Sequence, residues 1–143
     1  MGFKDIEISV DEKTMEADVQ IQYLNKANPM DVLRLIKAVR EKALVSEKSL
    51  KILDKLMLES ATGDNKIKAG LPEDLVVGHK TGMSSRKPDG VRITDNDAGF
   101  VFLPDGSVYY IAIFVTESQM SDAQNAALMA QVSNTIYKHL YKQ

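Results

Sequence analysis

A lysine, a threonine and a glycine stand together where a covered strand should reach its end. In Val76-Val77-Gly78-His79-Lys80-Thr81-Gly82-Met83-Ser84, the run from Leu75 to His79 reads as a buried strand. Lys80 and Thr81 then put a cation and a hydroxyl at the strand end, and Gly82 lets a ligand press against the backbone. Such an edge suits an anionic, peptide-like ligand. Lys80 would meet its charge, Thr81 would hydrogen-bond it, and backbone N–H groups would bind a carbonyl oxygen. A lone Lys-Thr-Gly also arises by chance on exposed strand ends, so the surrounding elements must carry the case.

The totals narrow the field. With 143 residues, 44% hydrophobic and 27% charged, the chain suits one globular domain with a real core. With a net charge of −2, no affinity for nucleic acid or for a membrane surface follows from the charge balance. There is no cysteine, hence no disulfide framework and no thiolate metal site. His79 and His139 are far apart and show no ligand spacing, so neither a metal nor another cofactor is expected. Met1 to Asp5 holds no apolar signal-peptide core. No apolar run approaches the ~18 residues of a membrane span.

The elements that must position Lys80 and Thr81 read as follows. Residues 1 to about 28 look irregular, with a short extended piece at Ile6 and Ile8 and a solvated loop or one helical turn after Asp11. Asn28-Pro29 starts a helix running to about Lys42, with Val32, Leu35, Ile36, Val39 and Ala43 on its apolar stripe. Ser46 caps a second helix, which should end near Ala61-Thr62-Gly63. Strand one is Leu75 to Gly82 and strand two about Val91 to Leu103. The charged interruption Asp95-Asn96-Asp97 suggests a bulge or bend in strand two. After the turn Pro104-Asp105-Gly106, strand three runs from Val108 to Thr116. It is apolar on both faces, which suggests a central strand. A last helix runs from Asp122 to about Tyr141, its inner stripe being Ala126, Met129, Val132, Ser133, Ile136 and Leu140.

The tract Glu59-Ser60-Ala61-Thr62-Gly63-Asp64-Asn65-Lys66 to Pro72, leading into Val76 to Gly82, resembles the class A serine β-lactamases. The resemblance continues through Asn96-Asp97-Ala98-Gly99, Leu103-Pro104-Asp105-Gly106 and Phe114-Val115-Thr116-Glu117-Ser118. It is strongest to the extended-spectrum PER and VEB branch, whose Ω-loop pattern is met by Glu12-Lys13-Thr14-Met15 and Gln20-Ile21-Gln22-Tyr23-Leu24-Asn25. It implies an α+β fold, the C-terminal portion of the β-lactamase/transpeptidase-like fold. The expected parts are an Ω-loop region (1–28), a helical segment (29–72), and three antiparallel strands with a C-terminal helix packed on them (73–143). Together they form a single partial domain.

Roles follow from the same resemblance. Glu12 falls on the base that activates the deacylating water, and the Met83 backbone N–H completes the oxyanion hole. Lys80, which also shapes the site's electrostatics, and Thr81 bind the substrate carboxylate beside Gly82, with help from Thr62 and Lys66. Met15 and Asn25 hold the Ω-loop. Met83 stands in place of a threonine or serine, and Lys66 in place of an arginine, which bears on substrate range.

The family's nucleophile motif, Ser-x-x-Lys, and its Ser-Asp-Asn have no counterpart at the expected places. Ser84-Ser85-Arg86-Lys87 has the first spacing but sits on a loop where the family places no nucleophile. The chain alone is therefore expected to be inactive. Its expected partners are a β-lactam, and either the missing N-terminal half or a second copy of the chain. Two alternatives stand beside this reading: a penicillin-binding or β-lactam sensor domain, and a non-catalytic module that self-associates. The resemblance implies a periplasmic or secreted location.

Overall fold

Alternating apolar residues and two tight turns build a three-stranded antiparallel sheet in the order β3-β4-β5 (Val77–Met83, Arg92–Phe102, Val108–Ser118). The computed structural model describes residues 3–41 and 44–141. The β4–β5 turn closes at Gly106, whose φ of 84° is the left-handed region that glycine enters without strain. Its N–H donates to Leu103 O at 2.9 Å, and Asp105 Oδ1 accepts from Ser107 N at 2.9 Å.

The two faces of the sheet are covered by different helices. Val77, Val101 and Ile111 share one face, where they form a core with Ile67 and Leu71. Ile136 and Tyr137 pack there from α4 (Asp122–Leu140). Ser121 starts α4 with a reciprocal cap, its side chain and that of Gln124 each accepting from the other's backbone. A single 3-10 turn, Lys68–Gly70, lies against this helix, and Asn134 Nδ2 donates to Gly70 O at 2.8 Å. On the opposite face α2 (Pro29–Arg40) crosses Phe100, with the Arg40 guanidinium 3.7 Å from the ring centroid. Arg40 also pairs with Asp54 of α3 (Glu47–Leu58), so one side chain ties both helices to the sheet.

The first 28 residues are more ordered than their composition suggested. Strands β1 (Ile6–Glu7) and β2 (Lys26–Ala27) pair antiparallel and close a loop. Inside it lie α1 (Glu12–Ala17) and a 3-10 stretch, Val19–Leu24. Short polar side chains do the work that an apolar period would do elsewhere. Asp11 caps α1 by accepting from Thr14 N at 2.8 Å, and Asp18 accepts from Gln20 N at 2.8 Å. Buried Asp31 anchors the entry, accepting from Asp5 N at 3.0 Å and from Arg34 at 2.7 Å.

Several expectations are corrected. Strand three is not central: β4 lies between β3 and β5, and β5 is an edge of this sheet among the described residues. Its two apolar faces are met by helices on both sides, which does not require a strand on each edge. Asp95-Asn96-Asp97 makes neither bulge nor bend. The ladder is unbroken there, because both aspartates are buried and have basic partners. Helix α3 stops at Leu58, short of Ala61, with its last bond from Glu59 N to Lys55 O. Leu140 is 53% exposed, since the last turn of α4 runs past the core. Lys42 and Ala43, expected at the end of α2, lie outside the described residues.

Candidate functional site

The edge of β3 carries the site. Ladder bonds join Ser84 N to Thr94 O and Phe102 N to Val76 O. Alternation between these fixed points directs the N–H groups of Thr81 and Met83 away from β4, toward an edge unpaired among the described residues. Lys80 is exposed on one face, its ammonium donating to Thr81 O at 2.6 Å. On the other face the Thr81 hydroxyl meets the Thr62 hydroxyl at 2.8 Å. Gly63, with φ 83°, makes that meeting possible, because a Cβ there would overlap Thr81 Cγ2. A Cβ at Gly82 would meet nothing within 4 Å, and the Met83 side chain is 57% exposed. Together these give an open strand edge with a cation, two hydroxyls and outward amides.

Beneath that edge lies a buried ionic layer. His79 is fully buried, its Nδ1 2.9 and 3.1 Å from the two oxygens of Asp97. Nδ1 therefore carries the proton and donates. Asp97 also accepts from Ile67 N at 3.2 Å, joining β3, β4 and the segment before the 3-10 turn. Lys66 pairs with Asp95 and is 8% exposed. Its ammonium is thus held against the Asp95 carboxylate beneath the strand edge.

Asn25 ties together the segment that carries Glu12. Asn25 Oδ1 accepts from Ser9 N at 2.8 Å and Val10 N at 3.1 Å. Its Nδ2 donates to Val10 O at 2.9 Å and to the Met15 sulfur at 3.2 Å. Glu12 occupies the first turn of α1 and is exposed. The segment reaches the sheet through Gln22, which accepts from Ser85 N at 3.2 Å, and through Tyr23, which donates to Glu117. A cavity of about 400 Å³ lies between the segment and the sheet, lined by Ile6, Tyr23, Asn25, Ile93, Asn96 and Phe114 among others. Neither Glu12 nor Lys80 lines it. Another cavity, of about 670 Å³, is at the far end of β3 between Leu58, Pro72 and Val77.

The structure therefore brings Thr62 to Thr81 and Met15 to Asn25, and leaves Glu12 and Lys80 on separate elements. Ser84-Ser85-Arg86-Lys87 holds no nucleophile-base pair. Ser84 Oγ lies 2.9 Å from Ser85 O and accepts from Thr94 N at 2.9 Å, while Lys87 binds Glu117 at 2.6 Å. Sequence reasoning missed the His79–Asp97 and Lys66–Asp95 pairs. Their signal was the period of two, which sets Asp95, Asp97 and Gly99 on the face shared by His79 and Thr81. Among the described residues no group of three or more acids and histidines could hold a metal ion. None of the described helices is long and apolar enough to cross a membrane.

This fold agrees with what is found among known proteins. A profile described as the beta-lactamase enzyme family matches residues 1–140. A beta-lactamase of Bacteroides uniformis is 44% identical over 131 residues, 91% of this chain and 44% of that protein. The extended-spectrum beta-lactamase PER-1 of Pseudomonas aeruginosa is 38% identical over 138 residues, 96% of this chain and 44% of that protein. A class A beta-lactamase crystal structure from Bacteroides cellulosilyticus superposes with a TM-score of 0.93 at 43% identity, covering 99% of this chain and 51% of that one. The chain belongs to the class A beta-lactamase family and has its α+β fold. It spans about half the length of the relatives it matches.

Proposed function

We propose that this chain supplies the ligand-gripping edge and the water-activating acid of a β-lactam-hydrolysing serine enzyme. The observation that carries the reading is the open β3 edge. Lys80 offers a cation to the substrate carboxylate, the Thr62 and Thr81 hydroxyls offer hydrogen bonds, and the Met83 N–H faces the side a carbonyl oxygen would approach. In the intact site a serine from outside these 143 residues attacks the lactam carbonyl. The ring C–N bond breaks, the hydroxyl proton passes to the ring nitrogen, and an acyl ester forms. Glu12 then takes a proton from water as the water oxygen attacks the ester carbonyl. The Met83 N–H stabilises the oxyanion, and as the adduct collapses Glu12 gives its proton to the departing serine oxygen, freeing the serine and the acid product.

Alone, the chain lacks the attacking hydroxyl and one oxyanion donor. Loss of a hydrolase nucleophile costs on the order of 10⁶ in turnover. The test is a chromogenic cephalosporin, assayed with the chain alone and then with the upstream half of a relative added. Background rates alone and turnover on mixing are expected; clear turnover by the chain alone sinks the mechanism. A penicillin-binding or sensor role is disfavoured by Glu12 on its ordered segment, and trapped, non-hydrolysed acyl-protein in the mixture would restore it. By family likeness the working location is the periplasm or the exterior.

A second reading has its own support. Strands β3 and β5 are both sheet edges among the described residues, and Ile52 and Leu56 are 53% and 64% exposed on α3. Such edges and patches favour pairing with the other half or with a second copy. The mass in solution separates these outcomes, and a clean monomer removes self-association.

A further inference from the structure

Glu117 sits where three separate pieces of chain meet. One carboxylate oxygen accepts from the Tyr23 hydroxyl of the Glu12 segment. The other accepts from Lys87 Nζ at 2.6 Å, on the loop joining β3 to β4. Glu117 itself lies near the end of β5. Its backbone is unusual, with φ at 49°, the one non-glycine residue in the left-handed region among those described. For a side chain with a Cβ that conformation is strained and persists only where its surroundings impose it. The ladder shows the local cost. Arg92 pairs Ser118 and Thr94 pairs Thr116 in one register, yet Ile93 and Glu117 between them do not pair. Just beyond, buried Ser118 bonds Asn125 of α4 at 2.8 Å, which fixes the end of β5 from the other side. The neighbouring Gln22–Ser85 bond joins the same two pieces that Tyr23 and Lys87 join through Glu117.

We propose that Glu117 is a positioning residue, a latch whose carboxylate holds the Glu12-bearing segment against the β3–β4 loop. The latch stands on the bonds above. Its kinetic consequence rests on the proposed role of Glu12 in deacylation. Acylation does not require Glu12 to sit over an ester, whereas deacylation does. Releasing the latch therefore slows the second chemical step and leaves the first nearly untouched.

The test has two arms. Amide exchange in the chain as it stands reads the latch directly. Glu117→Ala should speed exchange at Ile21, Ser85 and Lys87 by about five- to thirty-fold, the scale of one charge-assisted bond to an exposed group. Glu117→Gln keeps an acceptor for Tyr23 and loses the charge facing Lys87, so it should fall between. Unchanged exchange at those amides, or equal acceleration through the β4 core, overturns the latch. The second arm follows turnover of a chromogenic cephalosporin by the chain mixed with a relative's upstream half. In Glu117→Ala, kcat and KM should fall together by about ten-fold with kcat/KM preserved, as when a deacylation step becomes slower. A fall in kcat at fixed KM means only lost folded protein and overturns the positioning role. Absence of turnover in the unsubstituted mixture counts against the hydrolase reading alone, and the exchange arm still decides the latch.

Discussion

Replacing Asp95 by asparagine should be among the most damaging single changes available to this chain. Asp95 is 1% exposed in the middle strand, and its Oδ1 accepts from Lys66, itself 8% exposed. Asparagine keeps the shape and removes the charge, leaving an ammonium buried without its counter-ion. Breaking a buried pair from one side costs about 3–5 kcal/mol. Asp95 Oδ2 finds no hydrogen-bond partner among the described residues, so a single bond supports the pair there and the lower figure applies. Against a total stability of about 5–15 kcal/mol, a loss of about 3 kcal/mol is large. With a urea slope near 2 kcal/mol/M, the unfolding midpoint followed by circular dichroism should fall by about 1.5 M. Lys66→Met with Asp95→Val removes both charges and should recover most of that loss, because well-packed apolar residues replace such pairs at little cost. A shift under about 0.3 M for Asp95→Asn, or a double variant as unstable as the summed singles, would refute the reasoning.

Two further expectations follow from the geometry. A Cβ at Gly78 would overlap the ring of Phe100, which is fully buried and capped by Arg40. Gly78→Ala should therefore cost about 1–3 kcal/mol and lower the melting temperature by about 3–10 °C, readable by calorimetry. Asp122 accepts two bonds from Arg92 at 2.7 Å and one from Arg86 at 2.5 Å, and these hold its carboxyl below the ordinary aspartate value of 3.8. A depressed value stabilises the fold at neutral pH and loses that contribution as pH falls below 3.8 through the folded value. The stability gap between the wild-type chain and Asp122→Asn should thus be widest near neutrality and close in acid. A gap that is constant with pH means that the arginine contacts are not electrostatic in effect.

Much of the fold could be read residue by residue. Asn28-Pro29, Ser46 and Ser121 each start a helix because a short polar side chain satisfies a free N–H of the first turn, a local transaction. Pro104-Asp105-Gly106 turns for an equally local reason. Sequence reasoning failed where order depends on partners distant in the chain. The Glu12 segment has no apolar period, yet it is held by Asn25 bonding back across 15 residues to Val10. Asp95 and Asp97 looked like a break in a strand because charge in a strand usually faces water. Here Lys66 and His79 arrive from 29 and 18 residues away.

The sequence by itself determined the periods, the caps, the turns and the family likeness, all of which depend on neighbours within a few positions. Only the tertiary structure decided which strand lies in the middle, which charges turn inward and which hydroxyl meets Thr81. Those outcomes depend on desolvation and pairing between remote segments. Whether a carboxylate is an exposed acid or half of a buried pair is written in its surroundings, and the surroundings exist only once the chain has closed on itself.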